Sequence, residues 1–408
     1  MVPPQVTDRS TTRTSSRASR DQRPLRVGAA AVLITASVAV CAIVLGWSGP
    51  SIDLHVFLLA GREFVRGGDL YEPSFGSGLV VPLPYTYPPL MAALSSTVAW
   101  MPWSLVGWLW VAANVGALLW CTRRAYGPFV EASRYDGTIL VATLAGLLAL
   151  TAPITETFAY GQVGLLLLAA ILADTTHREG DRLPKGVLVG LATAIKLVPA
   201  IFLLYWIVTK QWRAAFVGCI TAVGASLFAA ILRPDLSLDY WLQILAKVDR
   251  IGGDLGIVAN QSINGVLHRL GLSSFLTRSL LAGVVLVVGL TRARAAHLEG
   301  NELAAVTLVG VTSLFISPVS WIHHAVWIVP ITGVLLGEGR SRGRWISWGA
   351  AIALSLLVTV LWPEGTDGST GSVIFDNVYV WSYLVLLLAL PGGRDLIPGS
   401  RTHASCAS

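Results

Sequence analysis

The chain has 408 residues, 54% hydrophobic and 13% charged, with a formal net charge of +6. Soluble domains carry roughly twice that charged fraction; repeated apolar runs of about 17 to 25 residues mark a polytopic membrane protein instead. The cations lie in short loops between these runs, which excludes a nucleic-acid surface, and the spacing of the four cysteines describes no disulfide framework.

Residues 1–24 are rich in Ser, Thr, Pro and Arg, with Arg9, Arg13, Arg17, Arg20 and Arg23, and read as a disordered basic cytoplasmic tail. One transmembrane domain over 25–392 follows, then a cytoplasmic tail over 393–408. The first span runs from about Arg26 to Gly46 and reads as a retained anchor, because no small-x-small cleavage site follows it. Behind it, Leu54, Phe57, Leu58, Phe64 and Val65 share one face of a helix pattern, and His55, Arg62 and Arg66 share another. That predicts an interfacial helix, ended by Gly67-Gly68. Pro82, Pro84, Pro88 and Pro89 around Tyr85 and Tyr87 then make a stiff loop that neither a helix nor a central strand accommodates.

Leu90 to Trp120 is apolar, interrupted at Met101-Pro102-Trp103. Spans at about Thr138–Ala152 and Val163–Ala173 flank a linker, PITETFAYGQ, that holds Glu156 and Gln162. Val187 to Val208 carries Lys196 and Pro199 in its middle and reads as a re-entrant hairpin of two half-helices. Further spans lie at about Ala214–Leu232, Leu276–Leu290, Leu303–Ile316, Ala325–Leu336, Trp345–Trp362 and Val378–Leu390, with the polar segment Arg233–Ser273 among them. The expected fold is an all-α polytopic bundle of about 11–12 spans, hairpin included. With the N-terminus inside, Leu90–Trp120 crossing an odd number of times and the hairpin an even number, twenty-one Lys and Arg fall inside and six outside. Asp53–Tyr87, Thr155–Gln162, Arg233–Ser273 and Ser317–His324 then share the outer face, where a composite site is expected.

Asp53, just outside a span, is placed to act as a general base toward a hydroxyl, or to cap the helix that follows. Glu156 is the alternative base. His323 and His324 project about 100° apart on a helix, so they do not share an ion; one faces the site and the other packs or caps. No metal or cofactor is expected. Lys196, a cation amid apolar residues, stabilises a phosphate or snorkels to an interface. Asn260 and Gln261 suit sugar hydroxyls or a loop turn. No Gly-rich nucleotide loop precedes a helix, so the expected donor is carried on lipid.

Five blocks in order, AGREFVRGGDLYEP, PYTYPP, TAIKLVPA followed by QWRA, NQSINGVLHRL and SPVSWIHH, preceded by Asp53, resemble glycosyltransferase family 87. These are the actinobacterial integral membrane mannosyltransferases of the GT-C type, and the resemblance runs from about Leu45 to Trp327. It implies a polyprenyl-phosphate-mannose donor and an α-1,2-mannosyl transfer to a glycolipid acceptor, a phosphatidylinositol mannoside or lipomannan/lipoarabinomannan, outside the cytoplasmic membrane. The family's catalytic acid falls on Asp53 and its histidine on the His323-His324 pair; where the family often has Asp before the histidines, this chain has Ile322. Arg62, Tyr85, Tyr87, Lys196, Glu156, Asn260 and Gln261 complete the expected substrate site, with Lys196, Arg62 or a histidine stabilising the departing phosphate. The alternatives are an arabinosyl or glucosyl transferase using another polyprenyl phosphate, and a lipid-linked sugar transporter with a helix break at Lys196–Pro199.

Overall fold

The computed structural model describes residues 51–72, 75, 83–176, 182–247, 254–361 and 375–390. The two tails and the expected first span lie outside them. Among the described residues there are helices, 3-10 turns and one π turn, and no strand.

Helix α1, Ile52–Arg66, buries Leu54, Phe57, Leu58 and Phe64 and ends where Gly67 turns left-handed at φ 85°. Val65, expected on the apolar face, is 73% exposed, while its neighbour Phe64 is buried. Arg233 donates to the Phe64 and Gly68 carbonyls at 2.8 and 2.9 Å, a cation at the negative end of the helix dipole. Helix α2, Pro89–Ser96, crosses α1 at Gly61, where a Cβ would stand 2.6 Å from the Ser96 nitrogen. Helix α3, Trp103–Ala125, is long and apolar enough to cross a membrane, and the eight-residue α2 is not.

Helices α4, Gly137–Ala149, and α5, Ala152–Tyr160, meet at 78°. The sequence PITETFAYGQ, expected as a linker, is therefore mostly helix. Pro153 falls in its first turn, where a missing N–H costs nothing, and Gly161, at φ 70°, stops it. Helix α6, Gly164–Thr175, runs back along α3.

The Lys196 segment is two short helices, α7 at Val187–Ile195 and α8 at Ile201–Val208, with Lys196 extended and a 3-10 turn at Val198–Ala200. Pro199 has no N–H for the Ile195 carbonyl, which breaks the helix at this point. The far ends of the two arms meet again. Lys185 donates to Gln211 at 2.7 Å, and its ammonium lies 5.9 Å from the centre of the Trp206 ring. The buried Asp174 carboxylate accepts from the Gly186 and Val189 N–H groups at 2.7 and 2.8 Å. The segment is thus a hairpin with Lys196 at its tip. Helix α9, Trp212–Leu232, packs along both arms through small residues: a Cβ on Gly190 would meet the Gly218 carbonyl oxygen, and one on Gly218 would meet Leu203, each at 2.5 Å.

The second half holds α10, Ile263–Arg269, α11, Phe275–Leu298, α12, Glu302–Ile316, α13, Ile328–Leu336, α14, Arg342–Leu361, and α15, Val378–Ala389. Helix α12 is buried without interruption from Ala304 to Phe315, with α11, α13 and α15 around it. A 3-10 turn, Ile322–Trp327, precedes α13. Among the described residues α3, α9 and α11 are each long and apolar enough to cross a membrane, and α4 with α5 passes the same test as a bent pair. Gly61→Leu is expected to force α1 off α2 and to destabilise the protein by about 1–3 kcal/mol, read as a lowered unfolding midpoint in detergent.

Candidate functional site

Asp53 lies in the first turn of α1, and Ser51, without a side-chain cap bond, is the N-cap residue. The helix begins two residues earlier than a capping Asp53 requires. The Gln162 side-chain amide approaches the Asp53 carboxyl, which also feels the charge of Lys196. Burial pushes the carboxyl above its ordinary carboxylate range, and outweighs the Gln162 amide and the Lys196 charge that pull it back.

The hairpin tip brings Lys196 to this carboxyl. Its ammonium lies 3.2 Å from the Tyr87 hydroxyl and 3.0 Å from His324 Nε2, and 5.1 Å from the centre of the Tyr87 ring. The Tyr87 hydroxyl donates in turn to Gln162 Oε1 at 3.2 Å. His324 Nδ1 accepts the Trp321 N–H at 3.3 Å, which orients the ring with Nε2 toward Lys196. His323 is buried with its Nδ1 3.5 Å from Glu156 Oε2, and neither ring nitrogen has a hydrogen bond among the described residues. Its ring stands edge-on to those of His324 and Tyr160, with centroids 4.6 and 5.6 Å away. The two imidazoles are 88° apart, so only His324 meets the lysine.

Asp53, Tyr87, Glu156, Lys196, His323 and His324 therefore converge from the start of α1, the proline-rich loop, α5, the hairpin tip and the 3-10 turn. Four other expected residues do not. Arg62 sits about 13 Å further along α1 than Asp53, at 1.5 Å per residue, and its Nε donates to the Ala99 carbonyl at 2.9 Å. Tyr85 is buried among Tyr71, Phe75 and Tyr87 with its hydroxyl on the Pro88 carbonyl at 3.2 Å.

Asn260 and Gln261 are buried and face backbone, where sugar hydroxyls were expected. Asn260 Oδ1 accepts from the Ser320 N–H at 3.0 Å, and its amide donates to the Leu255 carbonyl at 3.0 Å. Gln261 donates to the Val258 and Asp376 carbonyls, each at 2.6 Å, and accepts from the Tyr379 N–H at 3.2 Å. With Asn264, which donates to the Pro318 carbonyl at 3.0 Å, they brace the loop that carries the histidines. A rigid frame of this kind holds a site without touching its ligand.

Gln162 and Tyr160 went unassigned in the sequence, although Gln162 was visible in the linker beside Glu156. The signal that could have found it is Gly161, whose left-handed stop aims the next residue away from the helix axis. Among the described residues no three His, Cys, Asp or Glu side chains gather as metal ligands would. The arrangement offers a partly desolvated carboxylate that can take a proton, beside a half-buried amine and imidazole that can meet an anion.

The sequence matches glycosyltransferase family 87 over residues 85–318, a stretch that contains Tyr87, Glu156, Gln162 and Lys196 and lies between Asp53 and the histidines. Over 387 aligned residues the chain is 32% identical to the polyprenol-phosphate-mannose-dependent alpha-(1-2)-phosphatidylinositol mannoside mannosyltransferase of Mycolicibacterium smegmatis, covering 87% of this chain and 86% of the relative. The pentamannoside mannosyltransferase of the same organism, also polyprenol-phosphate-mannose-dependent, is 34% identical over 75% of each chain. An alpha-(1->3)-arabinofuranosyltransferase of Corynebacterium glutamicum is 26% identical over 82% of this chain and 79% of its own. No solved structure matches. A helical membrane domain with one polar cluster, matched over more than half its length to this family and over most of its length to two such enzymes, belongs to glycosyltransferase family 87 and is an integral membrane glycosyltransferase.

Proposed function

We propose that the protein transfers mannose from polyprenyl-phosphate-mannose to a phosphatidylinositol mannoside or a related lipid-anchored mannoside, forming an α-1,2 linkage on the outer face of the cytoplasmic membrane. The observation that carries the reading is the half-buried Asp53 carboxyl linked to Lys196 by way of Gln162 and Tyr87. A lipid phosphate and a sugar hydroxyl meet at a membrane surface, and this pairing offers a cation to one and a base to the other.

In the mechanism, the acceptor 2-hydroxyl attacks the anomeric carbon as the bond to the polyprenyl phosphate breaks. Asp53 takes the hydroxyl proton. The leaving phosphate needs charge stabilisation and no proton, and Lys196 with His324 supplies it. One displacement inverts a β-linked donor to the α product. The basic loops on the inner side support the orientation, and the mannose-dependent relatives support the donor. The arabinofuranosyltransferase relative supports a second donor class, so a polyprenyl-phosphate arabinose belongs in the same assay.

Purified protein in detergent, given polyprenyl-phosphate-mannose and a phosphatidylinositol mannoside, is expected to transfer mannose. Asp53→Asn is expected to lose about 10²–10⁴-fold in rate, the usual contribution of a general base, while keeping its unfolding midpoint; residual activity near wild type would remove Asp53 from the mechanism. Lys196→Ala is expected to lower turnover about 10²–10³-fold, as loss of one charge-stabilising donor does, and unchanged donor affinity and turnover would remove the lysine. The pH profile carries its own sign. A base works deprotonated, and the Asp53 carboxyl is raised by burial. Activity should therefore fall, as pH drops, at a value above that of an exposed aspartate.

A further inference from the structure

Gln162 is the residue set against Asp53 from the end of α5. Its backbone N–H donates to the Thr157 carbonyl at 2.9 Å, so the end of α5 fixes where the side chain leaves the chain. Gly161 beside it has no room for a Cβ: one would stand 2.7 Å from Leu54 Cβ and 2.8 Å from Ser51 Cβ. The first turn of α1 is therefore pressed against the stop of α5, which sets Gln162 next to Asp53. The Gln162 side chain is 5% exposed.

Donor and acceptor rules then fix which way its amide faces. The Tyr87 oxygen receives the Lys196 amine, 3.2 Å away. The Tyr87 hydrogen is left to go to Gln162, whose Oε1 lies 3.2 Å off. With its carbonyl oxygen taken by Tyr87, Gln162 turns its amide nitrogen toward the Asp53 carboxylate. The amide works as an adapter: it accepts from the lysine side and donates to the carboxylate side.

We propose that Gln162 is a positioning residue for the transfer reaction, one that orients Asp53 and links its charge to the Lys196–Tyr87 pair. The inference rests on the reading of Asp53 as the base. Asp53 is faced by Gln162 from the end of α5, Tyr87 from the proline-rich loop and Lys196 from the hairpin. His324 adjoins Lys196, and the His323–Glu156 pair lies beyond it. His55 and Arg62 are the other basic groups of the same helix ahead of its last turn.

The test is the pH profile of the transfer rate for wild type, Gln162→Glu and Gln162→Ala, with unfolding midpoints measured alongside. The near-isosteric Gln162→Glu keeps an acceptor for Tyr87 and replaces the donor by a carboxyl, so it reports the lost bond even where Gln162→Ala fails to fold. Loss of that bond disfavours ionised Asp53, so the acidic limb should move to higher pH. At a pH above that limb, kcat should be at least ten-fold below wild type with the donor KM within about two-fold, because the acceptor hydroxyl, not the donor, meets the misaligned oxygen. A folded Gln162→Glu protein with the wild-type limb and kcat overturns the positioning role, as does a fall in rate carried wholly by KM. Wild-type protein that transfers neither mannose nor arabinose overturns the functional reading itself, a separate outcome.

Discussion

A cation inside a membrane domain has to be met by polar partners, and the arrangement around Lys196 follows from that requirement. An unpaired lysine at the centre of a membrane helix costs about 3 kcal/mol on insertion scales. A hydrogen bond to a charged group returns about 1.5–3 kcal/mol, so two good partners are enough to hold it. Tyr87 and His324 are those partners, each on a different element, with Asp53 supplying the opposite charge. Satisfying the lysine therefore assembles the proline-rich loop, the 3-10 turn and the start of α1 around one point. The polar network is at once what makes the charge tolerable and what makes the site.

The frame around this point is built from backbone bonds. Asn260 and Asn264 spend their amides on the loop before the histidines, Gln261 ties its own to the Asp376 carbonyl and the Tyr379 N–H, and Arg233 closes the end of α1. Buried polar networks of this kind are worth most when every member is satisfied. His323 departs from this: both its ring nitrogens are buried without a hydrogen bond among the described residues, facing Glu156 and Tyr160.

Much of this was legible in the sequence because membrane chemistry leaves few options. A lysine and a proline four residues or fewer apart in an apolar run can only be a break, and the break is a hairpin tip. Asp53 and the histidines could be named because acids and imidazoles are rare among apolar helices. Their mutual approach could not be read, since it depends on Gly161, Gly61 and Gly218 letting backbones pass at distances no side chain permits. Asn260 and Gln261 misled for a related reason: an amide offers the same atoms to a sugar hydroxyl and to a peptide group, and only the coordinates say which is near. PITETFAYGQ reads as a linker because its polar residues break the apolar pattern, yet Pro153 and Gly161 are the start and stop of a helix that meets α4 at 78°.

The hairpin has a mechanical consequence. Its arms are anchored at the far end from the chemistry, by Asp174 on Gly186 and Val189 and by Lys185 on Gln211. The number of residues between those anchors and the tip is therefore a ruler that sets how deep the amine sits. Each residue in a helical arm is worth 1.5 Å of depth and 100° of rotation. A single insertion in α7 would withdraw the amine from Tyr87 and turn it away from His324 with every side chain of the site unaltered. Substitutions at the base of the hairpin, away from the site, thus act on the same coordinate as substitutions in the site.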